Sequence, residues 1–406
     1  MHIVIIGAGA AGCFAAIVLK QRCPEANITL LERGTRPLAK VSVTGGGRCN
    51  LTNSFKQVRS LEQVYPRGHR LIKKLFHQFS PQETCDWFER EGVRLVVQPD
   101  ECIFPRSQKA MEIVNTLLRK MERLEIRLFT RSRVQSIEPL QNGYIVYTAE
   151  DSYKADKVLV TTGGYSKSAD GSFINGLQLK TFAPVPSLFS FALDSHALSE
   201  LMGLVIDETV VTLSGTKFQA NGPLLITHWG VSGPAVLRLS SYAARHLAEN
   251  QYKDTLCIRW TGTRAHNDIE GTLYETVTKH KHKLISGIHL FGLQARLWTH
   301  LLKRAGLHEG MRWADLQGKA FHKLVNTLTN DSYAIIGKNR FKEEFVTCGG
   351  IALDELNAST LESKRYPGLY FAGEVTDIDA VTGGFNLQAA WTMGYVAAHA
   401  ISESIK

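Results

Sequence analysis

The chain has 406 residues, more than one small hydrophobic core can organise, so two or three domains are expected. Its hydrophobic fraction of 44% is typical of a globular protein, and the lack of any run of about 18 apolar residues argues against a transmembrane helix. Its 47 Lys and Arg against 38 Asp and Glu leave a net charge of +9, which favours anionic partners if it is clustered. The seven cysteines lie singly, without a CxxC pair. This spacing predicts no disulfide framework, no metal site and a cytosolic location.

The first thirty or so residues have the pattern of a βαβ unit. His2–Ile6 is a continuous apolar run rich in β-branched residues, typical of a parallel strand buried on both faces. It leads into the loop Gly7–Gly12 (GAGAAG), a helix over Cys13–Arg22 and a second strand over Ile28–Leu31. The start has no basic segment and its glycines have dinucleotide-loop spacing. We therefore interpret it as this unit and not as a signal peptide.

The glycines of this loop and one acidic residue indicate what the unit binds. Gly7 permits a tight turn, Gly9 lets the backbone approach a pyrophosphate, and Gly12 lets the helix pack on the strand. The phosphates would lie at the helix N-terminus, where free N–H groups favour anions. Glu32, twenty residues after Gly12, is placed to accept hydrogen bonds from both adenosine ribose hydroxyls. Its charge would repel a 2′-phosphate, so the pattern argues against NADP as the ligand of this loop.

A second glycine-rich segment, Lys40–Asn53 (KVSVTGGGRCNLTN), is predicted to be a backbone-rich loop. Beyond it the pattern predicts two helices and a short strand: Ser80–Glu91, Ser107–Leu124 and Val93–Gln98. Two later runs, Tyr144–Thr148 and Lys157–Val160, are predicted to be strands of a meander. The second enters Thr161–Gly164 (TTGG), which would bring backbone close to the adenine side of the nucleotide.

The middle of the chain has a different character, beginning at about Pro186. Short strand-like runs between turn residues predict a small β-barrel over residues 187–260: Leu188–Leu193, Thr209–Leu213, Leu224–Thr227 and Thr255–Ile258. Amphipathic stretches then predict a helical subdomain over residues 261–340: Asp268–Lys283, Gln294–Arg304 and Trp313–Leu328. Because α/β character returns near Phe345, residues 1–186 and 341–406 are predicted to form one nucleotide-binding domain that the middle interrupts.

The C-terminal region repeats the strand-turn-helix pattern. Tyr366–Glu374 (YPGLYFAGE) reads as a strand that runs into a Gly-acid pair, and Gly383–Asn386 (GGFN) opens an Ala-rich helix that continues to about Ser402. The N-terminus of such a helix can face the C2 carbonyl of a flavin, where its partial positive charge would stabilise the negative charge of the reduced ring. These turns predict that the bound dinucleotide is FAD.

Taken together, GAGAAG with Glu32, TGGGRCNLTN, THWGVSGPAVLRLSS and YPGLYFAGE…TGGFN resemble the bacterial YhiN/BaiN-type FAD-dependent oxidoreductases. These are also called aminoacetone-oxidase-like or ribosomal dihydrouridine-synthase-like flavoproteins. The resemblance covers nearly the whole chain. It implies an α/β fold: a Rossmann-like, two-dinucleotide-binding-type FAD domain with an inserted β-barrel and helical subdomain, and FAD held between the core and the insert. It also implies oxidase or reductase chemistry, including reduction of a C=C bond in a ribosomal RNA uridine or a steroid-like enone.

The resemblance also implies roles for individual residues. Gly9 and the following helix would hold the pyrophosphate, Glu32 the ribose and Glu374 the ribityl chain, where many relatives use Asp. The Gly45–Asn50 and Gly383–Asn386 turns would flank the isoalloxazine. The predicted cofactor contacts are Gly7, Gly9, Ala10, Ala11, Gly12, Glu32, Arg33, Lys40, Thr44, Gly45, Gly46, Gly47, Asn50, Val134, Thr162, Gly163, Gly373, Glu374, Gly384, Phe385 and Asn386. After Gly164 the sequence YSKSADGS departs from the expected Pro-containing, Gly/Thr-rich stretch, so no substrate contact is assigned there.

Three residues are candidates for the chemistry: Cys49, Arg48 and His228. Reduction of a C=C bond needs an acid beside the receiving carbon, and a Cys49 thiol next to Arg48 in a glycine-rich loop would be acidic. Alternatively, Cys49 is a small apolar filler under the ring, and Arg48 pairs with a phosphate or a flavin carbonyl. His228 would line a substrate cleft or serve a structural role, and Trp229 would stack on a substrate or fill a corner. Cys348 is interpreted as a packing residue.

Only one dinucleotide loop is present, so NAD(P)H would visit the flavin transiently, or the substrate itself would supply the electrons. Residues 261–340 hold 12 Lys and Arg against 6 Asp and Glu, and 7 of the 14 His. A second basic run is Arg67–Lys74, with His77 nearby. This clustering favours a polyanion such as ribosomal RNA, the alternative being a solvated helix face with no RNA-binding motif.

Three functions remain open from the sequence. The first is an NAD(P)H-driven reductase that forms dihydrouridine in ribosomal RNA. The second is a small-molecule flavin oxidase or ene-reductase acting on an amine or an enone, and the third is a flavin-containing RNA-binding factor without turnover. The sequence leaves the oligomeric state open.

Overall fold

The computed structural model describes residues 1–164, 172–194, 196–338 and 346–405. The chain divides into two compact units, which we call the nucleotide unit (Met1–Val185 and Val346–Lys406) and the inserted unit (Pro186–Phe345).

Strands and helices alternate at the start of the chain, and runs of consecutive strands or consecutive helices follow. In chain order, the strands are β1 His2–Ile6, β2 Asn27–Leu31, β3 Thr52–Asn53, β4 Leu95–Val97, β5 Cys102–Pro105, β6 Arg127–Phe129, β7 Val134–Pro139, β8 Tyr144–Thr148, β9 Ser152–Ala155, β10 Lys157–Val160, β11 Thr181–Ser187, β12 Phe191–Leu193, β13 Val205–Leu213, β14 Gln219–Thr227, β15 Gly230–Ser232, β16 Asp254–Arg259, β17 Asp331–Lys338, β18 Val346–Ile351 and β19 Leu369–Phe371. The α-helices are α1 Ala10–Arg22, α2 Ala39–Gly47, α3 His69–Leu75, α4 Pro81–Arg90, α5 Ala110–Arg123, α6 Ser172–Gly176, α7 Pro234–Tyr242, α8 Ala244–Glu249, α9 His266–Lys279, α10 Ala295–Arg304, α11 Gly318–Thr329 and α12 Phe385–Glu403.

A five-stranded parallel sheet with the order β19-β10-β1-β2-β6 organises the nucleotide unit. Ile3, Val4 and Ile5 are completely buried at its centre, as the apolar run of β1 predicts. The prediction that Lys157–Val160 belongs to a meander is wrong. β10 pairs in parallel with β1, while the meander consists of β7, β8 and β9. The consecutive buried residues of β10 belong to a strand covered on both faces, whereas one face of β8 is more exposed than the other.

Helices α1 and α12 pack closely against each other. A Cβ on Gly394 would lie 2.6 Å from the carbonyl oxygen of Ala11, so only glycine permits this approach. The contact is surrounded by buried aromatic rings, with Phe14 5.6 Å from Trp391 and 4.8 Å from Trp87 between ring centroids. This packing sets the position of both helix N-termini, which follow Gly9 and Gly384.

The inserted unit contains a closed six-stranded barrel with the order β12-β15-β14-β13-β16-β17. The structure differs from the predicted division of barrel and helices, since α7 and α8 lie in the range 187–260 predicted as barrel. β17 lies in the range 261–340 predicted as helical, yet it pairs with β12 and β16 to close the barrel. Its alternately buried residues Asp331, Tyr333 and Ile335 give the period of two that belongs to a strand. Helices α9, α10 and α11 pack around the buried rings of Trp298, Trp313 and Phe321.

Candidate nucleotide-binding site

The loop between β1 and α1 has the shape that its three glycines predict. Gly7 has a φ of +105°, and a Cβ on it would lie 2.5 Å from the carbonyl oxygen of Thr161. A Cβ on Gly12 would overlap the carbonyl oxygen of Gly7, so the close approach of helix to loop requires glycine. A Cβ on Gly9 would meet no atom within 4 Å. The steric roles predicted for Gly7 and Gly12 are thus confirmed, and Gly9 borders open space.

The N-terminus of α1 opens into this same space. Gly9 precedes the helix in an extended conformation, and Cys13 N–H makes the first intrahelical bond, to the Gly9 carbonyl at 3.0 Å. The N–H groups of Ala10, Ala11 and Gly12 therefore have no acceptor within the helix. First-turn N–H groups of this kind form an anion site, so the loop can hold a pyrophosphate.

The Glu32 carboxylate connects the end of β2 to the glycine loop. Its Oε2 accepts a hydrogen bond from Ala8 N at 2.9 Å, and its Oε1 accepts one from Gly34 N at 2.7 Å. An ionised carboxylate can accept about four hydrogen bonds, so each oxygen retains capacity for a ribose hydroxyl. The backbone bonds fix the orientation of Glu32 before any ligand arrives.

A pocket beside Glu32 brings together residues that are far apart in sequence. Its lining includes Gly7, Glu32, Arg33, Val134, Thr162 and Gly164. The hydroxyl of Thr162 is buried there and has no hydrogen-bond partner among the residues that the structure describes. Because a buried polar atom without a partner is costly, this hydroxyl fits a ligand that supplies a polar group. The pocket therefore suits the adenosine end of FAD.

Glu374 follows a glycine that lies against the first turn of α1. Its carboxylate accepts from Lys40 Nζ at 3.0 Å and from Thr347 N at 2.8 Å, and a Cβ on Gly163 would lie 3.6 Å from it. The preceding Gly373 has a φ of +82°, and a Cβ there would lie 3.2 Å from the Ala11 side chain. The structure thus brings the predicted contacts Lys40, Gly163, Gly373 and Glu374 together, and it adds Thr347, which no sequence motif indicated.

The segment predicted as a loop from Lys40 onward is partly helical. Helix α2 includes Lys40, and regular dihedral angles end at Thr44, where ψ is 150°. Gly45 and Gly46 follow with left-handed angles, and Cβ atoms on Gly46 and Gly47 would meet nothing within 4 Å. The prediction of a loop is therefore wrong for residues 40–43, because no residue before Gly45 strongly disfavours a helix. The predicted loop is confined to residues 44–51, between the end of the regular helix and β3.

The two turns predicted to flank the isoalloxazine contact each other. With its amide oriented to donate to the Thr52 carbonyl at 3.0 Å, Asn50 accepts a hydrogen bond from Gly384 N at 3.1 Å. A Cβ on Gly384 would overlap the Thr52 carbonyl oxygen. The Gly45–Asn50 segment therefore sets the position of the α12 N-terminus.

The side chains of Phe385 and Asn386 are engaged within the protein. The Asn386 amide accepts from Ala380 N and donates to Ala380 O, both at 2.9 Å. The Phe385 ring packs edge-on against Phe55 and Tyr65, at 5.1 and 6.1 Å between centroids. What these two residues offer a ligand is the unbonded N–H groups of the first turn of α12.

The predicted acidity of Cys49 is wrong. Its side chain is 0% exposed, and this burial raises the pKa of the thiol to about 12, with a hydrogen bond to Thr44 opposing the rise only in part. The Arg48 guanidinium lies over the Phe104 ring, 4.5 Å from its centroid, and donates to the Gly45 carbonyl at 3.1 Å. Desolvation therefore outweighs the neighbouring charge, which favours the space-filling interpretation of Cys49. The role of Cys49 as a proton donor stays a prediction, for a thiol that releases its proton less readily than an ordinary cysteine.

Two further residues that the sequence singles out are His228 and Cys348. His228 is exposed in the turn between β14 and β15 of the inserted unit, and its ring meets that of Trp229 edge-on at 4.2 Å. The predicted catalytic role of His228 stays a prediction. Cys348 is completely buried in β18, as expected of a packing residue. The segment after Gly164 that departs from the family pattern is residues 165–172, of which 165–171 lie outside the described residues.

The basic run Arg67–Lys74 is not uniformly a surface feature. The Arg67 guanidinium makes a buried ion pair with Asp379, so it is unavailable to a polyanion, contrary to the interpretation of the run as one patch. Charge counting along the sequence could not detect this pair, because its members lie 312 positions apart.

Within the described part of the chain, no three His, Cys, Asp or Glu side chains are grouped as metal ligands. None of the helices in this same part combines the length and apolar character needed to span a membrane.

Comparison with known proteins identifies relatives along the whole chain. A family model described as "HI0933-like protein Rossmann domain" matches residues 1–400. The chain is 27% identical to a 3-dehydro-bile acid delta(4,6)-reductase of Clostridium scindens over 99% of both chains. It is 28% identical to a ribosomal RNA dihydrouridine synthase of Escherichia coli, over 97% of this chain and 96% of the relative.

Among solved structures, the fold is similar to that of 3-ketosteroid delta1-dehydrogenase from Sterolibacterium denitrificans. The TM-score is 0.52, with 11% identity over 99% of both chains. At this identity the similarity concerns the fold alone.

Proposed function

This chain belongs to the HI0933-like Rossmann family and is an FAD-dependent oxidoreductase, and on that premise we propose that it reduces a C=C bond of a uridine in ribosomal RNA with electrons from NAD(P)H. Bound FAD supplies hydride transfer to an activated double bond. The protein's contribution is to hold the cofactor and the substrate and to stabilise charge.

Four groups of residues would hold FAD. The first-turn N–H groups of α1 would bind the pyrophosphate next to Gly9, and Glu32 would accept from the adenosine ribose. Glu374, already oriented by Lys40 and Thr347, would accept from the ribityl chain. The N-terminus of α12 would place its partial positive charge beside the pyrimidine end of the ring, where it stabilises negative charge.

Reduction of a C=C bond is supported by the relatives. Although their substrates differ, a delta(4,6)-reductase and a dihydrouridine synthase are both named for saturating a double bond. Both match nearly the whole of this chain, and the reductase chemistry is the property that the two names share. Protonation of the second carbon requires a group that can release a proton near neutral pH, which the high pKa of Cys49 disfavours.

Choice of RNA over a small enone rests on one observation, a cluster of exposed cations in the inserted unit. The segment with Lys281 and Lys283 is hydrogen-bonded to the segment with Arg312. Trp313 N donates to the Lys283 carbonyl at 3.0 Å, and Ala314 N donates to the Lys281 carbonyl at 3.1 Å. All three cations are exposed, and they form no ion pair with a carboxylate of the described residues. We call them the cation cluster.

Other cations of the same unit are neutralised. Lys279 pairs with Glu275 at 2.7 Å, Lys303 with Glu309 at 3.0 Å and Arg304 with Asp331 at 2.6 Å. In contrast to these three, the cation cluster is available to phosphates.

The inserted unit also has an exposed aromatic ring. Tyr274 on α9 is 56% exposed, and it stacks on Phe321 of α11 at 4.2 Å between ring centroids. Exposed aromatic rings are a common platform on which unpaired bases stack. An RNA substrate whose uridine is unpaired would suit both features.

The direct test supplies the FAD-loaded protein with NADH or NADPH and an unmodified ribosomal RNA transcript, and measures dihydrouridine by mass spectrometry of the nucleosides. A parallel reaction contains a 3-keto steroid with a C4–C5 double bond, and another contains a primary amine under oxygen. The proposal expects product in the RNA alone.

Other outcomes would contradict this proposal in distinct ways. Product only from the steroid, or peroxide from the amine, would assign the protein to the small-molecule alternative. RNA binding without product would indicate a non-catalytic RNA-binding factor. Absence of RNA binding at low salt would remove the RNA hypothesis altogether.

A further inference from the structure

Arg67 and Asp379 form a charged pair inside the nucleotide unit. The two residues are joined by an isolated β-bridge, and the guanidinium donates through two nitrogens to both oxygens of the carboxylate. The side chain of Arg67 is 12% exposed and that of Asp379 is 0% exposed. Burial by itself would lower the pKa of Arg67, but the hydrogen bonds and charge of Asp379 raise it above its ordinary value.

A third charged residue belongs to this group. Asp377 is 7% exposed, and its charge also acts to raise the pKa of Arg67. The Arg67 guanidinium thus pairs with Asp379 and is also stabilised by the charge of Asp377. Desolvation of a buried ion pair often costs more free energy than the pairing returns. A contribution to stability therefore does not by itself explain why Arg67 and Asp379 are charged and buried.

The pair is part of a longer attachment between two segments. Val381 N donates to the Val64 carbonyl at 2.9 Å, and the Tyr65 hydroxyl donates to the Phe385 carbonyl at 2.8 Å. A Cβ on Gly68 would lie 2.6 Å from the Ile378 side chain, so the segments approach closely there as well. Residues 64–68 therefore hold residues 378–385, which lead directly into the N-terminus of α12.

We propose that Arg67 is a positioning residue that sets both the place of the 383–386 turn and the local charge at the flavin, and thereby the reduction potential of the cofactor. This inference rests on the proposed location of that turn beside the isoalloxazine. Loss of the Arg67 cation would remove the positive charge that faces Asp377 and Asp379. The surroundings would become more negative, which disfavours the negative charge that the reduced ring carries. Loss of the Asp379 charge would have the opposite effect.

The test measures the midpoint potential of FAD bound to the full-length protein, by equilibration with a reference dye. Arg67→Met is expected to lower the ratio of reduced to oxidised flavin at a given dye potential by about tenfold, and Asp379→Asn to raise it by about tenfold. A tenfold change is the effect of one unit charge at a distance of about 12 Å from the ring, at an effective dielectric constant of about 20. The double variant R67M/D379N is expected to return towards the wild type.

Opposite signs distinguish this role from a purely structural one, which would shift the potential in the same direction in both variants. Equal or absent shifts would therefore overturn the inference. Arg67→Lys keeps the charge and is expected to keep the potential, so a shift as large as that of Arg67→Met would also overturn it. If the single variants lose FAD, the double variant and Arg67→Lys decide the question.

Arg70→Met, an exposed residue of the same basic run, is the matched control and should leave the potential unchanged. Wild-type protein that fails to bind FAD would count against the proposed function. Wild type that binds FAD, with variants whose potential is unshifted, would count against this inference alone.

Discussion

The two units of the molecule carry their charges in different ways. In the nucleotide unit, two ion pairs are already formed near the proposed site, Lys40 with Glu374 at 3.0 Å and Arg67 with Asp379 in the interior. In the inserted unit, the cation cluster is exposed and has no carboxylate partner among the described residues. Pre-oriented polar groups suit a ligand held in one geometry, whereas exposed cations suit a partner bound through its phosphates and released by salt.

Glycines of the loop between β1 and α1 show a second contrast, within the nucleotide unit. Gly12 is enclosed by protein atoms, whereas Gly9 borders open space. A substitution at Gly9 can therefore weaken ligand binding without disturbing the fold, because the new side chain would contact the ligand and not the protein. A substitution at Gly12 would disturb the fold itself.

The largest effect is expected from Gly9→Val. Because a Cβ at this position meets no protein atom within 4 Å, the variant should fold with an unchanged melting temperature in the absence of FAD. The added side chain would occupy the approach to the pyrophosphate, so the Kd for FAD should rise at least about 100-fold. Fluorescence titration of FAD into apoprotein measures the affinity.

Gly271→Ala is the matched control, since a Cβ there also meets nothing within 4 Å but lies on α9 of the inserted unit. It should leave FAD affinity unchanged and alter stability by at most about 1 kcal/mol. Normal FAD binding by Gly9→Val would contradict the assignment of the pyrophosphate to this loop.

An intermediate effect is expected when Lys281, Lys283 and Arg312 are all changed to Gln. RNA affinity at about 0.1 M salt should fall about 10- to 100-fold, and the slope of log K against log salt should decrease in magnitude by about 2 to 3. Filter binding over a range of salt concentrations measures both quantities, and the absorbance of bound FAD should not change.

The matched control for this variant changes two paired cations, Lys279 and Lys303, to Gln. Because each is neutralised by a carboxylate, the control should reduce RNA affinity less and leave the salt slope nearly unchanged. Equal losses in the two variants would show that the insert acts through its net charge and not through the cation cluster.

The smallest effect concerns Cys49 and the pH dependence of stability. Since folding raises the pKa of this thiol from 9.0 to about 12, its contribution is fully present below pH 9 and is lost as the pH rises towards 12. The free energy of unfolding of the wild type should therefore fall more steeply between pH 9 and 12 than that of Cys49→Ala, as urea denaturation would measure. The two proteins share the other buried thiols, so their difference isolates Cys49. Superimposable pH curves would contradict the raised pKa.

Several features could be predicted from the sequence because they depend on neighbouring residues. The apolar run of β1, the three glycines of the first loop and the position of Glu32 after β2 are local patterns, and the structure has them where predicted. The α4 helix likewise begins at the capping box of Ser80 and Glu83, within one residue of its predicted start. Turn sterics and helix caps act over a few residues, so a short segment contains the information that determines them.

Other features were decided by tertiary contacts. The partner of β10 in the parallel sheet and the place of β17 in the barrel depend on strands far away in the chain. The same holds for the Arg67–Asp379 pair, and the pKa of Cys49 is set by burial that the composition of its own loop does not reveal. The sequence by itself determined the βαβ unit and the nucleotide loop, because local sterics and periodicity suffice for both. Strand partners, ion pairing and thiol acidity were decided by the tertiary structure, because each depends on which distant residues exclude water from the site.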